Sequence, residues 1–240
     1  MNFWRLIEQI RGDCRIAISF CTILPLGQRF AVNNGDVASA SWALPIGGLL
    51  VGFTGAASYS LACNIGLPVS AAAMLALVAT ILITGAIHED GLADTADGLG
   101  GGRTRQRKLE IMRDSRIGTF GACALVASLV LRWSALVTLA DPRLVSLSLL
   151  IAHGAARGGL PPFMCLVPPA RTDGLSARSG QPSKLSALIA CGLGIACLLL
   201  GFGPGKTAIA FSLLLLAGVA LAWLVVTQIA WTNWRCAWRL

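Results

Sequence analysis

Long apolar stretches separated by short polar breaks dominate the hydrophobic pattern of this chain. The first stretch, residues 37–87, contains no Asp, Glu, Lys or Arg. It is too long for one helix across an apolar bilayer core of about 30 Å. The turn formers in Asn64-Ile65-Gly66-Leu67-Pro68 divide it. The pattern therefore predicts two membrane helices, near 40–63 and 68–87, the first of which carries several glycines that suggest a packing face.

Four further apolar stretches follow in the second half of the chain. Predicted spans cover about 118–140, 144–167, 185–203 and 207–231, separated by a turn at 141–143, a polar loop at 168–184 and a turn at 203–206. Residues 1–36 differ, because their apolar run at 16–26 is too short to span. We expect an amphipathic or re-entrant segment there, at the membrane face. The predicted fold is a single all-α domain over 1–240, a polytopic membrane helical bundle of about six spans.

Composition agrees with a protein embedded in a lipid bilayer. Hydrophobic residues make up 55% of the chain and charged residues 12%, about half the charged share of soluble domains. The formal net charge is +8, but no nucleic-acid motif or aromatic-interleaved basic patch accompanies it, so we predict no nucleic-acid partner. The sequence leaves open whether the chain forms a homo-oligomer.

The distribution of basic residues predicts the topology. Three turns on one side, 64–67, 141–143 and 203–206, hold only Arg143 and Lys206, whereas the other connections and both termini hold most of the remaining Lys and Arg. Basic residues favour the cytoplasmic side of a membrane. We therefore expect both termini, residues 87–116 and the loop at 168–184 to face the cytoplasm from the inner membrane.

Residues 87–116 concentrate the polar chemistry, and we interpret them as the catalytic segment. Six of the eleven acidic residues lie between positions 89 and 114. Asp90, Asp94 and Asp97 are spaced i, i+4, i+7, which places them on one face if the segment is helical. A hard cation such as Mg²⁺ would relieve their repulsion and bridge them to phosphate. The alternative is a solvated polar loop between two spans.

Several cationic and polar residues are candidate partners of these carboxylates. Arg113 and Arg116 bracket Asp114 and Ser115, and a guanidinium group grips phosphate bidentately. His88 is a candidate proton acceptor near neutral pH. The other candidates are Arg105 and Arg107, which are either membrane-surface charges or substrate ligands, and Arg157 in the cytoplasmic half of the fourth span. Arg132 lies nearer the opposite face, where we expect it to snorkel.

This chemistry predicts a membrane enzyme that acts on a phosphorylated or diphosphate substrate with a divalent metal. Membrane prenyltransferases and CDP-alcohol phosphotransferases also use Asp-rich helices. This chain lacks the second Asp-rich motif of the former and the Ala-Arg that follows the first Asp-Gly in the latter. A transporter using the acids as a cation pathway would place carboxylates near mid-bilayer, whereas these cluster at one edge.

Taken together, the motifs resemble the cobalamin synthase family of adenosylcobinamide-GDP ribazoletransferases. The matching residues are His88-x-Asp90-Gly91-Leu92-Ala93-Asp94-Thr95-x-Asp97-Gly98, then Arg105-x-Arg107, and then Leu109-Glu110-Ile111-Met112-Arg113-Asp114-Ser115-Arg116-x-Gly118-Thr119. Weaker matches lie at 20–25, 45–47 and 157–158. The resemblance extends over most of the chain.

The resemblance implies a reaction and a division of roles. Adenosylcobinamide-GDP would react with α-ribazole or its 5′-phosphate, whose 3′-hydroxyl attacks the cobinamide-linked phosphorus and releases GMP. The three aspartates would hold Mg²⁺ on the diphosphate. Arg113 and Arg116 would stabilise charge on the phosphoryl group, and an Asp or His88 would take the hydroxyl proton. Asp114 joins this catalytic set, and the implied substrate-binding residues are Arg105, Arg107, Ser115 and Arg157.

The C-terminal region, residues 223–240, departs from the family pattern. The family usually carries a Gly-rich segment with Thr-Gly-Asp before its last helix. Here the chain ends QIAWTNWRCAWRL, with no Asp or Glu after Asp173. The expectation is that the fold survives this change better than the activity, and an inactive truncated homologue is the corresponding alternative.

Overall fold

The computed structural model describes residues 3–26, 36–170 and 174–229, and this part of the chain is all-α without a strand. In chain order the helices are α1 (Phe3–Cys21), α2 (Asp36–Ala40), α3 (Leu44–Asn64), α4 (Val69–Thr84), α5 (Ile87–Gly101), α6 (Arg105–Ile111), α7 (Thr119–Leu139), α8 (Pro142–Gly158), α9 (Leu160–Leu166), α10 (Leu175–Ser179) and α11 (Lys184–Gln228). The all-α prediction is confirmed. Of the predicted atypical C-terminal region at 223–240, residues 230–240 lie outside the described residues, as do residues 1–2 and 27–35 of the predicted segment at 1–36.

Several helices are long and apolar enough to cross a membrane. Within the described residues these are 36–64, α7 and α11, and α4 with α5 adds a fourth if that bent pair is one broken span. Apolar side chains on α7 remain exposed, with Leu131 at 70% and Val126 at 61%. Exposed apolar surface of this extent suits lipid contact, so the chain is a membrane protein.

Helix α11 folds back on itself at Gly203. This residue has φ 71° and ψ 174°, outside the helical range, and Pro204 follows it. Cys191 and Val219 line the same apolar cavity, although a straight helix would separate them by about 42 Å. The predicted turn at 203–206 is therefore present, and α11 consists of two legs, 184–202 and 204–228.

The predicted fourth span, residues 144–167, is wrong as a single helix. Helix α8 ends at Gly158 and α9 begins at Leu160. Pro161 and Pro162 have no amide hydrogen, so they cannot donate to the carbonyls at the end of α8. The chain therefore breaks there, and Arg157 lies in the last turn of α8.

Glycines on α3 let α8 and α4 approach closely, as the sequence predicted. A Cβ on Gly52 would lie 2.6 Å from the carbonyl oxygen of Leu149, and one on Gly48 would lie 2.2 Å from that of His153. A Cβ on Gly55 would lie 2.7 Å from Thr80 on α4. Backbone contact of this kind is typical of small residues between membrane helices. It places His153 and the residues around it directly against α3.

A sharp bend between α4 and α5 positions the Asp-bearing helix. The two helices meet at 88°, through Gly85 (φ 65°) and Ala86 (φ 58°), both left-handed. Positive φ is uncommon for a residue with a Cβ and often occurs beside functional sites. The amide of Ile23 donates to the carbonyl of Ile83 at 2.8 Å, so the segment after α1 supports the bend. Beyond the bend, α5 packs along α7.

Candidate active site

Asp90, Asp94 and Asp97 all lie on helix α5, as their spacing predicted, but their surroundings differ. Asp90 is exposed, Asp94 is half-buried and Asp97 is buried. The carboxylate of Asp97 accepts hydrogen bonds from the backbone amides of Gly118 at 2.7 Å and Gly121 at 2.8 Å. These amides belong to the first turn of α7, where backbone donors lack helical partners. Asp97 therefore fixes the start of α7 against α5.

Both glycines are required by this contact. A Cβ on Gly118 would lie 2.4 Å from the Asp97 carboxylate, and one on Gly121 would lie 2.3 Å from it. The Gly118 of the family-like motif is thus explained by packing around Asp97.

The loop between α6 and α7 carries the predicted arginines next to this contact. Met112 lies beside α5, since a Cβ on Gly98 would be 2.5 Å from its side chain. Arg116 donates to both carboxylate oxygens of Asp114, with Nη2 at 2.7 Å and Nε at 3.1 Å and 3.2 Å. These hydrogen bonds lower the pKa of Asp114 from its ordinary 3.8 to about 2 and raise the pKa of Arg116. Arg113, Ser115 and Arg116 are all exposed on this loop.

The other predicted cationic ligands have structural contacts. Arg105 donates to the carbonyls of Ile229 at 2.6 Å and Ala170 at 3.1 Å. Arg107 pairs with Glu110 at 3.2 Å on an exposed face. Lys108 is buried and donates to the side chain of Gln228. Arg105 and Lys108 thus connect α6 to the end of α11.

A polar cavity of about 610 Å³, including its open mouth, lies at the first turn of α5. Thr80, Thr84, His88, Glu89, Arg132, His153, Ala156, Arg157 and Leu160 line it. The structure thus brings His88 and Arg157, two predicted site residues, to one cavity. The predicted site residues did not include Glu89, Arg132 or His153. The available indication was their position in or beside apolar spans, where an ionisable residue commonly faces a functional interior.

The expectation that Arg132 snorkels to the opposite face is wrong. Its guanidinium donates to the Glu89 carboxylate at 3.0 Å. Leu131, its neighbour in sequence, is 70% exposed, so this face of α7 turns outward while Arg132 turns toward α5. Pairing with a carboxylate inside the bundle replaces the water that snorkelling would provide.

Arg157 is enclosed on several sides. Its residue is only 5% exposed. Its Nη1 lies 2.6 Å from Nδ1 of His153. A Cβ on Gly48 would lie 3.1 Å from its Cδ. Two of the weak sequence matches, at 20–25 and 45–47, also contact each other, since a Cβ on Gly47 would lie 2.9 Å from the sulfur of Cys21.

The described residues do not form a complete metal site by themselves. No three His, Cys, Asp or Glu side chains among them lie close enough to share a metal ion, and both oxygens of Asp97 accept backbone hydrogen bonds. Asp90 and Asp94 lie one helical turn apart on the same face. Mg²⁺ commonly takes one or two carboxylates and completes its shell with water and substrate phosphate. Two carboxylates fit that mode of binding, and the three-aspartate site stays a prediction.

Comparison with known proteins identifies the family. A family model described as CobS, cobalamin-5-phosphate synthase, matches residues 13–236. The chain belongs to this family. The match covers α5, the arginine loop and the residues of the polar cavity, so every element of the candidate site lies inside the family domain.

Relatives of known name are similar over most of their length. The chain is 58% identical over 223 residues to an adenosylcobinamide-GDP ribazoletransferase of Bradyrhizobium diazoefficiens, covering 93% of this chain and 86% of that protein. It is 50% identical over 203 residues to the protein of the same name from Mesorhizobium japonicum, covering 84% and 78% respectively. No solved structure matches the chain.

Proposed function

We propose that this chain is an adenosylcobinamide-GDP ribazoletransferase, which joins adenosylcobinamide-GDP to α-ribazole or its 5′-phosphate. The 3′-hydroxyl of the ribazole forms a new O–P bond at the cobinamide-linked phosphorus. The phosphoanhydride bond to GMP breaks, GMP leaves, and the hydroxyl proton passes to a base. The observation that carries this proposal is the arrangement along α5. Along α5, Asp90 and Asp94 come after the two residues that line the polar cavity and before Asp97 and Gly98, which contact the two ends of the arginine loop.

The metal would be held at the middle of α5. Asp90 and Asp94 offer hard oxygen ligands one turn apart, suited to Mg²⁺ together with diphosphate oxygens. Bound there, Mg²⁺ would neutralise charge on the diphosphate. Asp97 would support the site by holding the start of α7 against α5.

The arginine loop would hold the phosphoryl groups. Arg113 and Arg116 are exposed and carry planar donor groups suited to phosphate. Asp114 fixes the orientation of Arg116 through three hydrogen bonds. Ser115 and Arg107 are also exposed and would add polar contacts. Arg105 would act indirectly, since its contacts hold α6 in place.

His88 is our candidate for the base that accepts the hydroxyl proton, with Asp90 as the alternative. His88 lines the polar cavity and lies two residues before Asp90 on α5. A neutral imidazole is suited to this role near physiological pH.

The site would open to the cytoplasm at the inner membrane. The excess of Lys and Arg on the side of residues 87–116 supports this orientation. A site at the membrane edge would also admit a large amphipathic corrinoid. A homo-oligomer remains compatible with this arrangement.

Release of GMP by purified protein in detergent tests the proposal. With Mg²⁺, adenosylcobinamide-GDP and α-ribazole 5′-phosphate, we expect GMP from the wild-type chain. Asp94→Asn should lose at least about 100-fold in kcat, since it removes a ligand that stabilises charge in the transition state. Glu8→Gln, an exposed change on α1, is the matched control and should retain the rate. Normal turnover by Asp94→Asn would exclude its metal role.

The diphosphate substrate that is consumed distinguishes the proposed function from its nearest alternative. Another membrane phosphotransferase or prenyltransferase would consume a different diphosphate and release no GMP here. A folded wild-type chain that leaves adenosylcobinamide-GDP intact would contradict the proposed function.

A further inference from the structure

The polar cavity at the start of α5 carries an unbalanced positive charge. Arg132 and Arg157 are cationic, and Glu89 is the single carboxylate among its lining residues. Glu89 already pairs with Arg132 at 3.0 Å. Arg157, whose side chain is nearly completely buried, is near enough to Glu89 to be influenced by it but forms no ion pair of its own among the described residues, so the cavity keeps one positive charge in excess. A buried cation without a counter-charge is unfavourable, and a bound anion would relieve it.

The cavity also presents hydrogen-bond donors without acceptors. Nε of Arg157 is buried and has no hydrogen-bond partner among the described residues. Because a guanidinium can only donate, Nδ1 of His153 must accept from Nη1 of Arg157, 2.6 Å away. The proton of this neutral imidazole then lies on Nε2, which becomes a further donor. The matching ligand is rich in acceptor oxygens.

The position of the cavity relates this ligand to the reaction. His88 and Glu89 line it and directly precede Asp90 on the same helix. Glu89 and Asp94 are separated by about 7.5 Å along the helix axis. Because Asp90 directly follows Glu89, an anion in the cavity would adjoin the proposed metal position at its Asp90 end. About 260 Å³ of the cavity is open to water-sized molecules, which is just below the range of drug-sized sites and enough for a phosphate group.

We propose that this cavity binds a phosphate monoester, the 5′-phosphate of the acceptor substrate, through Arg157 and His153. The inference rests on the proposed function for the identity of the substrate, but the binding of phosphate itself does not. It gives the chain a preference for α-ribazole 5′-phosphate over α-ribazole. It also separates two phosphate sites, one for each substrate, at opposite ends of the Asp90 and Asp94 face.

Binding of inorganic phosphate tests the site without turnover. In neutral detergent at constant ionic strength, phosphate should raise the Tm of the wild-type chain, because it binds the folded state. Arg157→Gln should abolish the shift, while the exposed Arg143→Gln, at the other end of α8, should retain it. If Arg157→Gln does not fold, Arg157→Lys serves instead, and it should reduce the shift because it loses the planar fork. An Arg157 variant that folds and shows the full shift would overturn the proposal.

Kinetics test the assignment to the acceptor substrate. Arg157→Gln should raise KM for α-ribazole 5′-phosphate about tenfold or more and leave KM for α-ribazole nearly unchanged. Equal effects on both acceptors would overturn the assignment. If neither wild-type nor variant releases GMP, the proposed function fails, while an Arg157-dependent Tm shift would still establish the phosphate site.

A further experiment tests whether the phosphate group in the cavity belongs to a lipid headgroup and not to the acceptor substrate. If the cavity holds an anionic lipid headgroup, phosphatidylglycerol added to the detergent should produce the Arg157-dependent shift and inorganic phosphate should not. That result would overturn the acceptor assignment.

Discussion

At the scale of single residues, identical side chains on one helix face have different surroundings. Asp90 is open to solvent, while Asp97 is buried and accepts two amide hydrogen bonds. Carboxylates with such unequal partners are suited to different tasks, because a carboxylate saturated with backbone donors is less available to a metal. Asp114 has a third role, since its partner is the guanidinium of Arg116.

The lowered pKa of Asp114 predicts how the loop responds to pH. Because the folded-state pKa is about 2 and the ordinary value is 3.8, the pair contributes fully above about pH 4 and is lost as pH falls toward 2. Between pH 5 and 8 Asp114 should not titrate. Asp114→Asn should therefore lower the rate of GMP release, because Arg116 loses its orientation, without changing the shape of the pH–rate profile. If the wild-type rate fell toward acid between pH 5 and 8 and this fall disappeared in Asp114→Asn, the assigned pKa shift would be contradicted.

At the scale of elements, the site depends on how α5 lies against α7. The bend at Gly85 and Ala86 redirects the chain, and the Asp97 contact fixes α5 to the start of α7. The Glu89–Arg132 pair connects the same two helices nearer the other end of α5. Two polar contacts, about 12 Å apart along α5, hold the face that carries Asp90 and Asp94.

Gly121→Ala should disrupt this packing. Its Cβ would lie 2.3 Å from the Asp97 carboxylate and 3.0 Å from the carbonyl of Ala93. Overpacking of this kind costs about 1–3 kcal/mol, so the variant should unfold at lower denaturant concentration in detergent. Gly192→Ala is the matched control, since nothing lies within 4 Å of the added Cβ. Equal stability of the two variants would contradict the assigned contact.

At the scale of the whole molecule, glycine-mediated crossings and a few polar ties hold distant segments together. Helix α3 meets α8 in backbone contact at Gly48 and Gly52. Lys108 and Arg105 connect the segment after α5 to the end of α11, about 120 residues later in the chain. The elements that carry the site are therefore held in place by contacts with distant parts of the sequence.

Gln228→Leu tests the connection between α6 and α11. The buried ammonium group of Lys108 would lose a hydrogen-bond acceptor, at a cost of about 1 kcal/mol or more. We expect faster amide hydrogen exchange in α6, measured by mass spectrometry, with little change in α3 or α8. Thr227→Val is the control, because the Thr227 hydroxyl bonds to carbonyls of its own helix. Unchanged hydrogen exchange in α6 would contradict a stabilising role for the hydrogen bond between Lys108 and Gln228.

The sequence by itself determined the local features of this protein. Apolar runs and turn formers predicted α3, α4 and α7 and the reversal at Gly203, because these depend on hydrophobicity and backbone freedom that each segment carries alone. The spacing of Asp90, Asp94 and Asp97 predicted one face of a helix for the same reason. The motif also identified the family, since it is a contiguous pattern.

Only the tertiary structure decided which distant groups meet. The Asp97 contact with Gly118 and Gly121, the burial of Lys108 and the inward turn of Arg132 depend on helix packing, which no single segment encodes. The polar cavity is the clearest case, because its residues come from α4, α5, α7, α8 and α9. A charge in an apolar span must find a partner or leave the bilayer, and which of these occurs depends on the facing helix.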